Sequence, residues 1–285
     1  MNLILRPGEP RDAEACGAIF FEAFRAISGQ HNFPWDLPSV EVSVSLTRGL
    51  LSNPGFYSVV AEADGRIVGS NFLDERSPIA GIGPITVDPV TQNQGIGRGL
   101  MRAVLERSAE RRFAGVRLVQ SAYHNRSLCL YTDLGFDSRE ALSKIDGKPL
   151  GIRFPGYDIR PAAEADVGAC NALCERIHGH HRGGELRNAI AQGTARIVEH
   201  LGEITGYATD IIFFGHGVAE TNQGLKALIG AASAFSGGGF LLPTRNGELF
   251  RWCLHNKLRL IHQMTLMTIG LYNEPAGVYL PSVLY

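Results

Sequence analysis

Two spacings of apolar residues recur along this chain and divide it into strands and helices. Short alternating or β-branched runs predict strands over Leu3 to Arg6, Tyr57 to Ala61, Ile67 to Leu73, Ile85 to Val87 and Val116 to Gln120. Helical spacing predicts a helix after Asp12 carrying Ala15, Ile19, Phe20, Ala23 and Phe24, and a shorter one through Val42 to Leu51. Beyond Gly97 the same spacing returns in Ile96, Leu100 and Val104, with Met101 and Leu105 beside them. Ala63-Asp64-Gly65-Arg66 joins two of the strands, and Asp-Gly is a strong hairpin signal. Ser28 to Pro38 carries the glycine, prolines and polar residues of a loop, together with Phe33 and Trp35. Phe136 to Ile145 can form a last strand or two. The order is strand, two helices, three strands, helix, strand, helix, strand, an α/β (α+β) layout with a mixed sheet.

After a turn-rich stretch, Asp146 to Gly151 and Phe154 to Gly156, the pattern starts again. Leu5-Arg6-Pro7 is echoed by Ile159-Arg160-Pro161. At that same offset Asp12 meets Asp166, Ala15 meets Ala169, Cys16 meets Cys170 and Ala18 meets Ala172. Ala195 to Glu199 and Gly206 to Ile211 flank Gly202-Glu203 and repeat the hairpin. The chain therefore reads as an internal repeat, with domains over residues 1–150 and 151–285.

Composition narrows the function classes. The 285 residues are 45% hydrophobic and 19% charged, which is ample for two globular cores. Net charge is −1 without a basic block, so neither nucleic acid nor an anionic membrane is expected as a partner. No apolar run approaches the ~18 residues of a membrane span, and Met1 to Pro7 lacks the pattern of a signal peptide. Five cysteines, Cys16, Cys129, Cys170, Cys174 and Cys253, include no C-x-x-C pair and read as reduced thiols of a cytoplasmic protein.

The chemistry gathers where strand 85–87 turns into the helix beyond Gly97. Asp88-Pro89 ends the strand, and Gln92-Asn93-Gln94-Gly95-Ile96-Gly97 leads into the helix. Glycines let a ligand approach the backbone, and a helix start offers unpaired N–H groups and a positive dipole end, which suits phosphate. A Rossmann loop would need a third glycine where Leu100 stands, and a P-loop would need a lysine that is absent. The pattern [RQ]-x-x-G-x-[GA] after a strand is matched. It resembles the pyrophosphate-binding motif of the GNAT superfamily of acyl-CoA-dependent acyltransferases. Asn125 with Leu130-Tyr131-Thr132-Asp133-Leu134-Gly135-Phe136 resembles that family's later helix, N-x-x-x-x-x-Y-x-x-x-G-F, with Gly135 as its C-cap.

The resemblance covers about the first half of the chain. It implies two GNAT-like domains, each a mixed, mostly antiparallel twisted sheet flanked by helices, whose fourth and fifth strands splay apart to admit acetyl-CoA or another short acyl-CoA. It places the pyrophosphate on Gln92, Asn93, Gln94, Gly95, Ile96, Gly97 and Arg98. The pantetheine then runs along Ile85, Thr86 and Val87, near Asn125 and Ser127. The acceptor would be an amine of a small molecule or peptide that attacks the thioester directly. Tyr131 would protonate the departing thiolate, with pKa values of about 10 for tyrosine against about 8.5 for a free thiol. The strand over 82–87 has no acid, so Asp74, Glu75, His31 and His124 stay open as the general base.

The second copy departs from the motif. Its phosphate turn reads Thr221-Asn222-Gln223-Gly224-Leu225-Lys226, with Lys226 at the position of Gly97, and Trp252 stands for Tyr131. It reads as a degenerate GNAT-like domain. His178-Gly179-His180-His181 reads as a solvated loop without a metal, Cys170 and Cys174 as buried small residues on one helix, and Phe33 and Trp35 as either pocket lining or packing. A non-catalytic CoA-binding or protein-interaction module is the alternative reading of the whole, and a nucleotide-binding oxidoreductase a weaker one.

Overall fold

The computed structural model describes residues 3–284; the reading of Met1 and Asn2 as part of no leader lies outside them. The first half runs β1 (Leu3–Pro7), α1 (Ala13–Gln30), α2 (Val40–Ser52), β2 (Phe56–Ala63), β3 (Arg66–Asp74), β4 (Ile79–Ile82), β5 (Thr86–Val87), α3 (Ile96–Glu110), β6 (Gly115–Ser121), α4 (Asn125–Asp133) and β7 (Asp137–Asp146). The second half repeats the order with β8 (Tyr157–Pro161), α5 (Val167–His178), α6 (Gly183–Gln192), β9 (Arg196–His200), β10 (Glu203–Ala208), β11 (Gly217–Ala219), α7 (Asn222–Ala231), β12 (Phe240–Pro243), α8 (Gly247–His255), β13 (Arg259–Gly270) and β14 (Val278–Leu280). This is the α+β layout the apolar spacing predicts, and both hairpins form. Asp64 and Gly65 (φ +50° and +80°) turn β2 into β3, and Leu201 and Gly202 (φ +54° and +83°) turn β9 into β10.

The repeat is written into side chains. Arg6 grips Asp12 with two hydrogen bonds (2.8 and 3.0 Å), and Arg160 grips Asp166 in the same way (2.8 and 2.9 Å). Each aspartate also accepts a 2.8 Å hydrogen bond from the backbone N–H three residues earlier, Glu9 or Ala163, and so closes the turn that starts the first helix of its half. The arginine fork holds both carboxyls below the usual carboxylate range. A depressed folded pKa adds stability that is complete above the unfolded value near ~4 and is lost as pH falls through the folded value. Asp12→Asn is expected to cost roughly 1.5–3 kcal/mol at neutral pH and to flatten the acid limb of a urea-midpoint-against-pH curve. Asp166→Asn should cost less, because the Arg160 side chain is 41% exposed against 27% for Arg6.

The two halves share a sheet. Among the described residues one nine-stranded sheet runs β1-β2-β3-β4-β6-β13-β7-β12, with β5 paired to β3, and a five-stranded sheet runs β14-β11-β10-β9-β8. β13, from the second half, lies antiparallel between β6 and β7 of the first, with Met267 opposite Leu118 and Met264 opposite Leu142. β7 in turn pairs with β12, Leu142 opposite Pro243. Backbone pairing thus crosses the expected boundary at residue 150. Helix α3 buries Ile96, Leu100, Met101 and Val104 against the first sheet, as its periodicity predicts, with Leu118, Phe136 and Met267 in the same core.

Candidate active site

The cleft begins where two paired strands part. β4 runs parallel to β6 from Ile79 opposite Gly115 to Ile82 opposite Leu118. At Gly83 (φ +132°) and Pro84 the chain leaves β6, and β5 pairs only with β3, Thr86 opposite Ser70 and Val87 opposite Gly69. Beyond Leu118, β6 pairs only with β13. A wedge opens between residues 85–87 on one side and Val119, Gln120 and Ser121 on the other, and it widens into a cleft of about 790 Å³.

One end of the cleft is the glycine turn. Gly95 (φ +82°) caps α3 without a side chain, so the N–H groups of the first turn have no capping partner and point outward. Gln92 donates to the carbonyl of Val87 (3.1 Å) and fastens the turn to β5. Arg126 donates to Gln92 Oε1 (2.6 Å) and Asn93 Oδ1 (3.4 Å), bringing a guanidinium to the same rim. A Cβ on Gly97 would sit 3.7 Å from Val87 and 3.8 Å from Leu130, between the two walls of the wedge. Free N–H groups, a dipole end and a guanidinium at one mouth make an anion site.

Tyr131 lines the middle of the cleft from α4. Burial pushes its hydroxyl up to about 12 against a hydrogen bond with Ser127, so it carries its proton at neutral pH. Gly135 (φ +96°) ends the helix, and the Phe136 N–H returns to the Tyr131 carbonyl (3.0 Å), which fixes that residue in place.

The far end is built by both halves. Phe20, Phe24 and Ile27 of α1 face Phe213 and Phe214 from the β10–β11 connection and Met264 of β13. Asp36 is the acid on this wall. Burial alone would raise its carboxyl, but His262 and the Lys144 ammonium at 2.6 Å outweigh that and hold it below the usual range. His124 lines the same cleft, and burial, then Arg126 and His31, push its imidazole down to about 4. It is therefore neutral at physiological pH.

The structure brings Ile85, Thr86, Val87, Gln92, Asn93, Gly95, Ile96, Gly97, Arg98, Ser127 and Tyr131 to this one cleft. It does not bring Gln94 or Asn125. Both are exposed, Gln94 because it rides the outer side of the turn and Asn125 because it opens α4 toward solvent. Arg98 reaches the cleft but is paired with Asp133 across its mouth. Of the four expected bases only His124 is there. Asp74 is locked to Arg76, Glu75 to Arg107, and His31 packs on Tyr123. Phe33 stacks on Tyr123 at 4.5 Å and Trp35 lies half exposed beside Arg25, so both are packing. Asp36, Arg126 and Phe214 carry no local pattern, and sequence reasoning missed them.

In the second half the corresponding turn is filled from within. Gly224 falls inside the first turn of α7 instead of before it, and Thr221 caps that helix by accepting from the Gly224 N–H (3.3 Å). Lys226 pairs with Glu248 (2.6 Å), which also accepts from Asn222 (2.9 Å). The anion-binding groups are spent on the protein itself. His178 and His180, expected in a solvated loop, are 2% and 7% exposed, because α5 extends to His178 and packs it against Tyr279.

Residues 54–138 match the Acetyltransferase (GNAT) domain family. The chain is 34% identical over 95 residues to a mycothiol acetyltransferase of Tsukamurella paurometabola, an alignment covering 32% of this chain and 32% of that protein. It thus spans about a third of the length of that curated relative. The fold matches a putative acetyltransferase from Pyrococcus horikoshii with a TM-score of 0.77 at 21% identity, covering 97% of this chain and 92% of that one. A tandem GNAT protein from the clavulanic acid biosynthesis pathway matches with a TM-score of 0.58 at 16% identity, over 94% of this chain and 98% of that one. No helix among the described residues is long and apolar enough to cross a membrane. With the splayed strands and the uncapped glycine turn in place, residues 54–138 are similar to a GNAT acetyltransferase domain, and the chain as a whole has the fold of the tandem GNAT protein.

Proposed function

We propose that this protein moves an acetyl or other short acyl group from acyl-CoA to an amine by direct attack, in the cleft of the first half. The observation that carries this is the meeting of an anion site, an open strand edge and a buried tyrosine hydroxyl in one cavity. The N–H groups at the start of α3, with Arg126, take the pyrophosphate, and residues 85–87 pair with the pantetheine as an added strand would. A backbone N–H of that edge polarises the thioester carbonyl and holds the developing oxyanion. Tyr131 delivers a proton to the thiolate sulfur as the carbon–sulfur bond breaks. The burial that weakens this acid also raises the basicity of the thiolate formed beside it, so the transfer stays matched.

The amine arrives as an ammonium and gives up its proton to water in the open cleft before it attacks, and neutral His124 on the wall offers that water a hydrogen-bond partner. Phe20, Phe24, Phe213 and Phe214 favour an acceptor with an apolar body behind its amine. Binding and turnover test this together. Calorimetric titration with acetyl-CoA should give one site per chain, and thiol release should appear when amines of apolar body are added. Binding without release for any amine of a broad panel would leave a CoA-binding module, and two equal sites would show that Lys226 tolerates the cofactor.

A further inference from the structure

In the second half the wall that corresponds to the acceptor end of the cleft carries different chemistry. At the repeat offset that aligns Arg6 with Arg160, Phe20 and Phe24 of α1 become Cys174 and His178 of α5. In the first half that pair is an edge-to-face aromatic contact at 4.9 Å, lining the cleft. In the second half the two side chains are joined by His216, which precedes β11. The Cys174 sulfur and one nitrogen from each imidazole all lie within 4.8 Å of one another.

All three residues are buried, Cys174 and His216 completely and His178 to 2% exposure. Both ring nitrogens of His178 and both of His216 are buried without a hydrogen-bond partner. Four orphaned nitrogens in one spot are costly if nothing ever meets them. Ordinary packing does not need this set: the first half fills the equivalent place with two phenylalanines.

We propose that Cys174, His178 and His216 form a binding site for a zinc-class divalent cation that ties α5 to the β10–β11 connection. One sulfur and two imidazole nitrogens are a borderline-soft donor set that favours zinc over magnesium or calcium. In a tetrahedral zinc site the ligand atoms stand roughly 3.4–3.6 Å apart. Binding converts the Cys174 thiol to a thiolate: one sulfur–metal bond forms and one proton leaves to solvent. A water molecule completes the fourth position. The site is a brace in the second half, separate from the acyl-transfer cleft.

The test uses the full chain, stripped with chelator and titrated with Co²⁺, then with Zn²⁺. One Co²⁺ per chain should bind with a sulfur-to-cobalt charge-transfer band and the intense visible bands of tetrahedral cobalt, and Zn²⁺ should abolish them. One proton should be released per metal, and the melting temperature should rise. Cys174→Ser should lose the charge-transfer band, while Cys170→Ser, one turn away, should keep it. His216→Gln should weaken binding at least tenfold, which serves if Cys174→Ser fails to fold. Absence of the band in wild-type protein, or a band unchanged in Cys174→Ser, would overturn the site. So would metal binding without a rise in melting temperature.

Discussion

Tyr131→Phe is expected to lower turnover by about 10²–10⁴ with acetyl-CoA affinity nearly unchanged. The substitution keeps the ring, which is 6% exposed and packs edge-on against Phe136, so the fold should not register it. Only the hydroxyl goes, and with it the proton source proposed for the sulfur. Loss of a general acid weighs less when the leaving thiolate is less basic. The deficit should therefore shrink with an acyl donor whose thiol is more acidic. The measurement is single-turnover kinetics, where chemistry sets the rate. A variant with wild-type turnover there would remove Tyr131 from the mechanism and leave positioning and the strand-edge N–H groups as the catalytic terms.

Gly97→Glu is expected to abolish acetyl-CoA binding in calorimetry while the circular dichroism spectrum and melting temperature stay close to wild type. The new Cβ makes ordinary contacts with Val87 and Leu130, so the backbone accepts it. The carboxylate then occupies the wedge beside the N–H groups that should hold pyrophosphate, adding bulk and like charge. Gly97→Ala should weaken binding without abolishing it. In the second half a glycine-to-glutamate control is unsuitable, because a Cβ on Gly224 meets Ala219 at 3.1 Å in the core. Lys226→Gln is the informative control and should leave affinity and stoichiometry unchanged, since Lys226 serves Glu248. A loss there equal to that of Gly97→Glu would put the cofactor in the second half.

Local pattern carried the reading a long way in this chain. The helix after Gly97 and both hairpins follow from spacing within a dozen residues. The side of the cleft proposed for the cofactor was legible as a cluster for the same reason, since strand, turn and helix are consecutive. The acceptor side was not. Asp36, His262 and Lys144 meet from three distant segments, and Phe213 and Phe214 come from the other half. No periodicity marks such meetings. The histidine tetrapeptide does not form the expected solvated loop because α5 runs on to His178, with Gly179 (φ +76°) as its cap, and the partners that bury His178, Tyr279 and His216, lie in separate runs. The insertion of β13 was equally hidden, since a strand's pattern says which face it buries but not which neighbour it chooses.

That insertion bears on how the protein is made. A nascent chain presents the first half to solvent well before residues 259–270 leave the ribosome. Until then β6 and β7 stand without the strand that belongs between them, and two apolar, unpaired edges are open to other chains. The acyl-transfer cleft has one wall on β6, so it takes its final shape only when the last part of the sequence arrives. A second copy that has spent its phosphate turn on itself is therefore not dispensable: its strand β13 completes the sheet of the first half between β6 and β7.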